Sequence, residues 1–295
     1  MTTSGPMSRQ YHRLSVRAGF TDSLSTEAPF MQRLPPCWWS LAERVAQAAH
    51  PFVLGINGAQ GSGKTTLATA LQRILAQEYG LQVAVLSMDD VYHTRAHRRW
   101  LSEHIHPLLL TRGVPGTHDV ALGIELVRRF RAGRHLQLPR FDKASDDRKL
   151  ESDWLQGPAD ILILEGWCLG TTAQSEAQLQ EPVNELEAQQ DENSVWRGYV
   201  NDCLSGEYQR WFSQLDELIM LQAPDWETVI DWRLEQEQAL IAGSGKGMNR
   251  AELKDFMLHY QRLTQYQLES PPERVDWLYE LDKTRQVIAV QERKK

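Results

Sequence analysis

Gly58-Ala59-Gln60-Gly61-Ser62-Gly63-Lys64-Thr65 fits the phosphate-binding pattern G-x-x-x-x-G-K-S/T at every fixed position. Glycines let the main chain curl so that successive N–H groups point inward at a polyphosphate, and the helix that follows presents its positive end to the same charge. The predicted ligand is a nucleoside triphosphate. Lys64 is placed for the β- and γ-phosphates and the Thr65 hydroxyl for a bridging Mg²⁺, with Thr66 opening the helix behind them. The flanks agree. Phe52-Val53-Leu54-Gly55-Ile56-Asn57 reads as a buried strand entering the loop, and Leu67, Leu71, Ile74 and Leu75 recur at helical spacing up to Tyr79-Gly80. A second GSGK, within Ala242-Gly243-Ser244-Gly245-Lys246-Gly247, follows a polar helical pattern and has glycine where the hydroxyl is needed, so it reads as a loop.

Outward from the loop the pattern alternates strand and helix, which predicts an α/β fold of the P-loop type: a parallel sheet with helices on both faces. Further strands are expected at Gln82 to Met88, Ile161 to Leu164, Leu218 to Leu221 and Trp277 to Leu281. Residues 1–50 read as a polar leader and helical cap, the latter through Leu41, Val45 and Ala49, on a catalytic domain of residues 51–295. A Gln/Glu-rich insertion spans about residues 171–215. Val195, Trp196, Tyr199, Val200, Cys203, Leu204, Trp211 and Leu215 keep a helical period within it, predicting one amphipathic helix.

At 295 residues and 41% apolar content the chain can bury a sizeable core, and a net charge of -7 argues against general nucleic-acid or anionic-membrane binding. Cys37, Cys168 and Cys203 are odd in number and widely spaced, which suggests reduced thiols. No apolar run suits a signal peptide or a membrane span, so a cytoplasmic location is expected. His93 and His97 have helical spacing but lack the glutamate and cysteines of common zinc sites. No feature of the sequence bears on oligomeric state.

Strand ends carry the candidate chemistry, because ligands of open parallel sheets bind beyond the carboxyl ends of strands. Asp89 and Asp90 follow the second strand; phosphoryl transfer to an alcohol needs a carboxylate to take the proton, though Asp also suits loops and caps. Glu165 closes an apolar strand and is placed to hold Mg²⁺. Arg112, Arg140 and Lys143 are candidate holders of an anionic acceptor, although each alone also reads as a solvated charge. Asp119 also reads as the N-cap of the next helix.

Ser87-x-Asp89-Asp90-x-Tyr92, Arg112-Gly113-x-Pro115-Gly116-Thr117-His118-Asp119, Leu138-Pro139-Arg140-Phe141-Asp142-Lys143 and Leu164-Glu165-Gly166-Trp167, together with the phosphate loop, resemble the plant-type D-glycerate 3-kinases. Trp232-Arg233-Leu234-Glu235-x-Glu237 and Lys254-Asp255-Phe256-x-x-x-Tyr260 extend the resemblance over nearly all of Phe52 to Leu281. More distantly the chain is similar to the phosphoribulokinase, uridine kinase and pantothenate kinase group. The resemblance implies ATP-dependent phosphorylation of the 3-hydroxyl of D-glycerate, with Asp89 as base and Arg233 on a lid closing over the γ-phosphate. It also implies that Asp90, Tyr92, Arg112, His118, Asp119, Arg140 and Lys143 surround the acceptor, His118 marking the segment closest to glycerate specificity. The arginine-dense lid of uridine kinases is absent, leaving Arg233 nearly alone on its helix. Two alternatives stay open: a kinase for another small hydroxylated acceptor, such as a nucleoside or a pantothenate-like alcohol, and a nucleotide-dependent switch protein.

Overall fold

A strand buried on both faces needs apolar residues along its whole length, and Phe52–Gly58 (β1) is buried at every position. In the computed structural model, which describes residues 34–151, 154–244 and 247–293, β1 lies inside the main sheet. The polar leader expected up to residue 33, and Gly245-Lys246 of the second GSGK, lie outside the described residues.

In chain order, helix α1 (Pro36–Gln47) precedes β1, and α2 (Lys64–Tyr79) follows the phosphate loop. Then come β2 (Val83–Ser87), a 3-10 turn at Met88–Val91, α3 (Arg95–His104) and α4 (Val120–Arg131). Short strands β3 (Leu136–Leu138), β4 (Phe141–Asp142), β5 (Asp147–Arg148) and β6 (Leu155–Gly157) lead to β7 (Ile161–Gly166). The insertion contributes α5 (Glu176–Gln180), α6 (Glu185–Gln190), α7 (Val195–Cys203), a π-helical turn and α8 (Gln209–Phe212). The chain continues through β8 (Glu217–Gln222), α9 (Trp226–Ser244), α10 (Arg250–Glu269), β9 (Trp277–Leu281) and β10 (Val287–Glu292).

The sheet order is β10-β9-β8-β1-β7-β2, parallel except for the antiparallel pair of β9 and β10 at one edge. From β1 the chain crosses to β2 on one side and later to β8 on the other, so β1 stands at the reversal of strand order where a crevice opens beyond the strand ends. All five expected strands are present within a residue or two. The edge strand β10 has no counterpart in the sequence reading, since only Val287 and Ala289 of Val287–Glu292 are partly buried and the apolar signal is weak. Among the described residues no helix is long and apolar enough to cross a membrane.

The helix expected in the N-terminal cap packs into the core. Leu41, Ala42 and Val45 are buried, while Arg44 pairs with Glu217 at 3.1 Å and lies 3.8 Å from the centre of the Trp277 ring.

The Gln/Glu-rich insertion holds more helix than the single one expected. A capping box at Ser175 starts α5, and the Asn184 side chain accepts from Glu187 N–H to start α6. What anchors this polar tract is a buried ion pair. Arg262 on α10 meets the Glu187 carboxylate at 2.6 Å and also donates to the Gln178 and Glu181 carbonyls. Arg262→Met is expected to destabilise the protein by about 3–5 kcal/mol, because it leaves the Glu187 charge buried without a partner. Urea unfolding checks this, and the Arg262→Met/Glu187→Gln double variant should recover part of the loss.

Candidate active site

Three strand ends converge. β1 delivers the phosphate loop, β2 delivers Asp89 and Asp90, and β7 delivers Glu165. Register sets their spacing: Glu165 lies beside Ile56 on one side and Ser87 on the other. Beyond these ends opens a cavity of about 360 Å³ whose wall includes Lys64, Asp89, Glu165, Arg112, Lys143 and Arg233.

The loop supplies Gln60, Gly61, Lys64 and Thr65 to this wall, whereas Gly58 ends β1 and Ala59, Ser62, Gly63 and Thr66 lie in the turn and first helical residues behind it. Gly61 has φ 79° and a Cβ there would sit 2.6 Å from the Trp232 Cβ, so only glycine fits. The Lys64 ammonium donates to the Ala59 carbonyl at 3.0 Å, curled over its own loop. Burial lowers the Lys64 pKa, against the favourable charges of Glu165 and Asp89.

The Thr65 hydroxyl donates to the Glu165 carboxylate at 3.3 Å. Glu165 is 5% exposed, and burial raises its pKa despite the nearby Lys64 charge. A hydroxyl and a carboxylate converging beside a phosphate loop form an oxygen donor set that suits a hard dication such as Mg²⁺.

Asp89 sits in the 3-10 turn that Ser87 starts, its backbone N–H held by the Ser87 hydroxyl. Its two carboxylate oxygens accept from Tyr92 Oη and Lys143 Nζ, each at 2.7 Å. Burial opposes ionisation of Asp89, but the Lys143 charge and hydrogen bond, with that of Tyr92, outweigh it and hold the carboxyl at about 2.

Lys143 reaches Asp89 because the ribbon of β4 and β5 is pinned against the 3-10 turn. Arg140 pairs with Asp90 at 2.9 Å, Phe141 N–H donates to the same carboxylate, and Arg148 donates to the Tyr92 carbonyl and to Asp119. Arg112 pairs with Asp146 in the turn of that ribbon. Buried Arg98 ties the turn down through the Asp146 carboxylate and the Leu110 and His93 carbonyls.

Four residues expected around the acceptor therefore stand behind the wall. Asp90 and Arg140 satisfy each other, and Asp119 caps α4 through Leu122 N–H while pairing with Arg148. His118 is 1% exposed, bonds Tyr208 Oη through Nδ1 at 2.6 Å and packs its ring 4.6 Å from that of Tyr92. Burial lowers the His118 pKa to about 3, which keeps the ring neutral. Single residue types could not distinguish these from ligands, because a charge paired in the fold and a charge on a ligand have the same sequence.

The structure adds wall residues that the sequence reading left out: Ser87, Gly166, Trp167, Gln236, Leu240, Phe256 and Tyr260. Trp167 Nε1 donates to the Gly113 carbonyl and Tyr260 Oη to the Arg112 carbonyl, and their rings meet edge to face at 5.0 Å. Gly113 is obligatory here, since a Cβ would lie 2.0 Å from Tyr260 Oη. Arg233 is held by Glu237, one helical turn on, at 2.7 Å. His93 and His97 stack on each other, and His104 stacks on Trp100.

A glycine loop at the end of a central strand, a lysine on it and carboxylates at the ends of the adjoining strand β7 and of β2 beyond it define a P-loop phosphotransferase. The chain is 36% identical over 221 residues to the uncharacterized kinase mug58 of Schizosaccharomyces pombe, covering 71% of this chain and 78% of that protein. It is 30% identical over 222 residues to the chloroplastic D-glycerate 3-kinase of Arabidopsis thaliana, spanning 71% of this chain and 46% of that one. Among solved structures, the D-glycerate 3-kinase of Cryptococcus neoformans var. grubii matches with a TM-score of 0.68 and 25% identity over 93% of this chain and all of its own. No family model matches. The chain belongs to the family of P-loop kinases that these proteins represent, and it is an ATP-dependent phosphotransferase.

A carboxyl whose native pKa is depressed adds stability above its unfolded value, and that stability is lost as pH falls through about 2 for Asp89. Lys143→Met removes the main opposing charge, so the Asp89 carboxyl should titrate higher, toward its ordinary value of 3.8 or above. Carboxyl ¹³C NMR of wild type and variant checks this; an unmoved titration would show that the pair does not persist in solution.

Proposed function

We propose that the enzyme transfers the γ-phosphoryl group of ATP to the 3-hydroxyl of D-glycerate, giving 3-phosphoglycerate and ADP. The observation that carries this reading is the pairing of Asp89 with Lys143 on the wall that also holds Arg112 and Lys64. A carboxylate base for a hydroxyl and cations for a carboxylate thus lie side by side, as a small hydroxy acid requires.

Lys64 and the backbone of the phosphate loop hold the β- and γ-phosphates. Thr65 and Glu165 hold Mg²⁺, which supplies charge neutralisation to the phosphates when bound. Lys143 and Arg112 take the acceptor carboxylate, and Tyr92 keeps Asp89 oriented toward the hydroxyl. The hydroxyl oxygen bonds the γ-phosphorus, the bond from that phosphorus to the β–γ bridging oxygen breaks, and the hydroxyl proton passes to Asp89. Arg233, steadied by Glu237, offsets charge on the transferring group.

An aspartate held near pKa 2 is a weak base, which suits a loose transition state in which positioning and electrostatics supply most of the acceleration. As the acceptor carboxylate engages Lys143, the clamp on Asp89 loosens and its basicity rises. His118 acts at one remove, by packing on Tyr92. The cations Lys64, Arg112, Lys143 and Arg233 on the wall suit anionic substrates, and the partner is a small molecule rather than nucleic acid or membrane.

The deciding experiment is an acceptor panel in a coupled ADP-release assay. D-Glycerate should be turned over far better than glycerol, which lacks the carboxylate, and better than uridine or pantothenate. Comparable kcat/KM for glycerol and D-glycerate would move the acceptor to a neutral alcohol; ATP hydrolysis unresponsive to every acceptor would favour a switch protein. Asp89→Asn should lower kcat by roughly 10²–10⁴ with ATP binding kept. Lys143→Met should raise KM for D-glycerate much more than KM for ATP.

A further inference from the structure

Arg285 lies in the turn between β9 and β10, far in sequence from every residue assigned to the site. Its backbone is left-handed, with φ 66° in a residue that is not glycine. The turn that imposes this conformation is built on Asp282, whose side chain accepts from the N–H groups of Thr284 and Gln286 and from the Thr284 hydroxyl. From there the guanidinium reaches the phosphate loop: Nε donates to the Gly61 carbonyl at 2.7 Å. It also pairs with Glu235 on α9 at 2.7 Å and lies 5.0 Å from the centre of the Trp232 ring. Trp232 closes the circuit, donating Nε1 to the Lys283 carbonyl at 2.8 Å while packing against Gly61.

A phosphate loop works only while its N–H groups face inward. Gly61 has no side chain to restrict rotation of the peptide planes beside it, and a rotation that brought its carbonyl into the cavity would set a negative dipole against the phosphates. The Arg285 hydrogen bond ties that carbonyl to a cation that does not line the cavity. The same guanidinium holds α9, which carries Arg233, so loop and lid helix are registered by one side chain.

We propose that Arg285 is a positioning residue for triphosphate binding, locking the Gly61 carbonyl out of the phosphate nest and fixing α9 against the loop. It touches no substrate. The inference rests on the phosphate loop receiving ATP and is independent of which acceptor is used.

The test compares wild type with Arg285→Gly, which tolerates the left-handed backbone, and Arg285→Lys, which keeps a cationic donor. The dissociation constant of Mg²⁺·β,γ-imido-ATP is measured by calorimetry, and the inhibition constant of AMP, which lacks the β- and γ-phosphates, serves as control. Arg285→Gly should weaken imido-ATP by about 10- to 100-fold, the size of one hydrogen bond to a charged group, with AMP inhibition unchanged. Arg285→Lys should stay within about threefold of wild type on the same scale. Equal imido-ATP affinity in Arg285→Gly and wild type overturns the proposal. So does an equal loss for AMP, which would place Arg285 at the nucleoside end, or a lowered thermal midpoint with both ligands weakened, which would make its role general stability. Failure of wild type itself to bind imido-ATP would instead overturn the nucleotide site.

Discussion

A polyphosphate can be held by backbone N–H groups only where the chain turns tightly at the end of a strand and then starts a helix, and the rest of this structure is arranged around that turn. β1 is buried on both faces because it must deliver the loop at the middle of the sheet, where strand order reverses and a crevice opens. β2 and β7 pair in register so that Asp89 and Glu165 emerge beside it. The α9 helix presses Trp232 onto Gly61 at a distance that no side chain could share. Each of these is a consequence of closing a wall around one anion site.

The second organising feature is that the cations of the wall arrive with partners. Lys143 is paired with Asp89, Arg112 with Asp146, and Arg233 with Glu237, while Lys64 bonds its own loop. Flexible cationic side chains lose considerable rotamer entropy when fixed, and partners that orient them beforehand lessen what substrate binding must supply. The pairs differ in kind. Glu237 is almost fully buried and holds Arg233 as scaffolding, whereas Lys143 is mostly exposed and its partner is the proposed base. An incoming carboxylate can therefore draw Lys143 away from Asp89 far more easily than it could separate Arg233 from Glu237.

Packing between distant segments makes this site rigid. The short ribbon of β4 and β5 would have no stability alone; it is held by Arg140 on Asp90, Arg148 on Asp119 and the Tyr92 carbonyl, and Arg98 on Asp146. The insertion is held to α10 by Glu187 and Arg262, and α7 runs on through the π-helical turn to Tyr208, whose hydroxyl meets His118 and Gly116 N–H. Through His118 and Tyr92 that contact ends at Asp89.

The sequence alone determined the phosphate loop, the parallel α/β class, five of the six strands of the main sheet and the family resemblance, because each is a local pattern: glycines at fixed spacing, apolar runs and helical periods. It also placed Lys64, Thr65, Asp89 and Glu165 at strand ends, which is a statement about chain order. Only the tertiary structure decided which charges face the cavity. Lys143 and Arg112 do, while Arg140, Asp90 and Asp119 are paired within the fold and neutral His118 is packed behind Tyr92, and nothing local distinguishes an arginine that meets an aspartate from one that meets a ligand. Trp167, Phe256 and Tyr260 stand in family-like motifs that gave them no role, and Arg285 stands in none, for the same reason: their roles exist only in contacts with segments far away in the chain. Hydrogen bonds and ion pairs reach across the fold, whereas periodicity and spacing report only what neighbours along the backbone do.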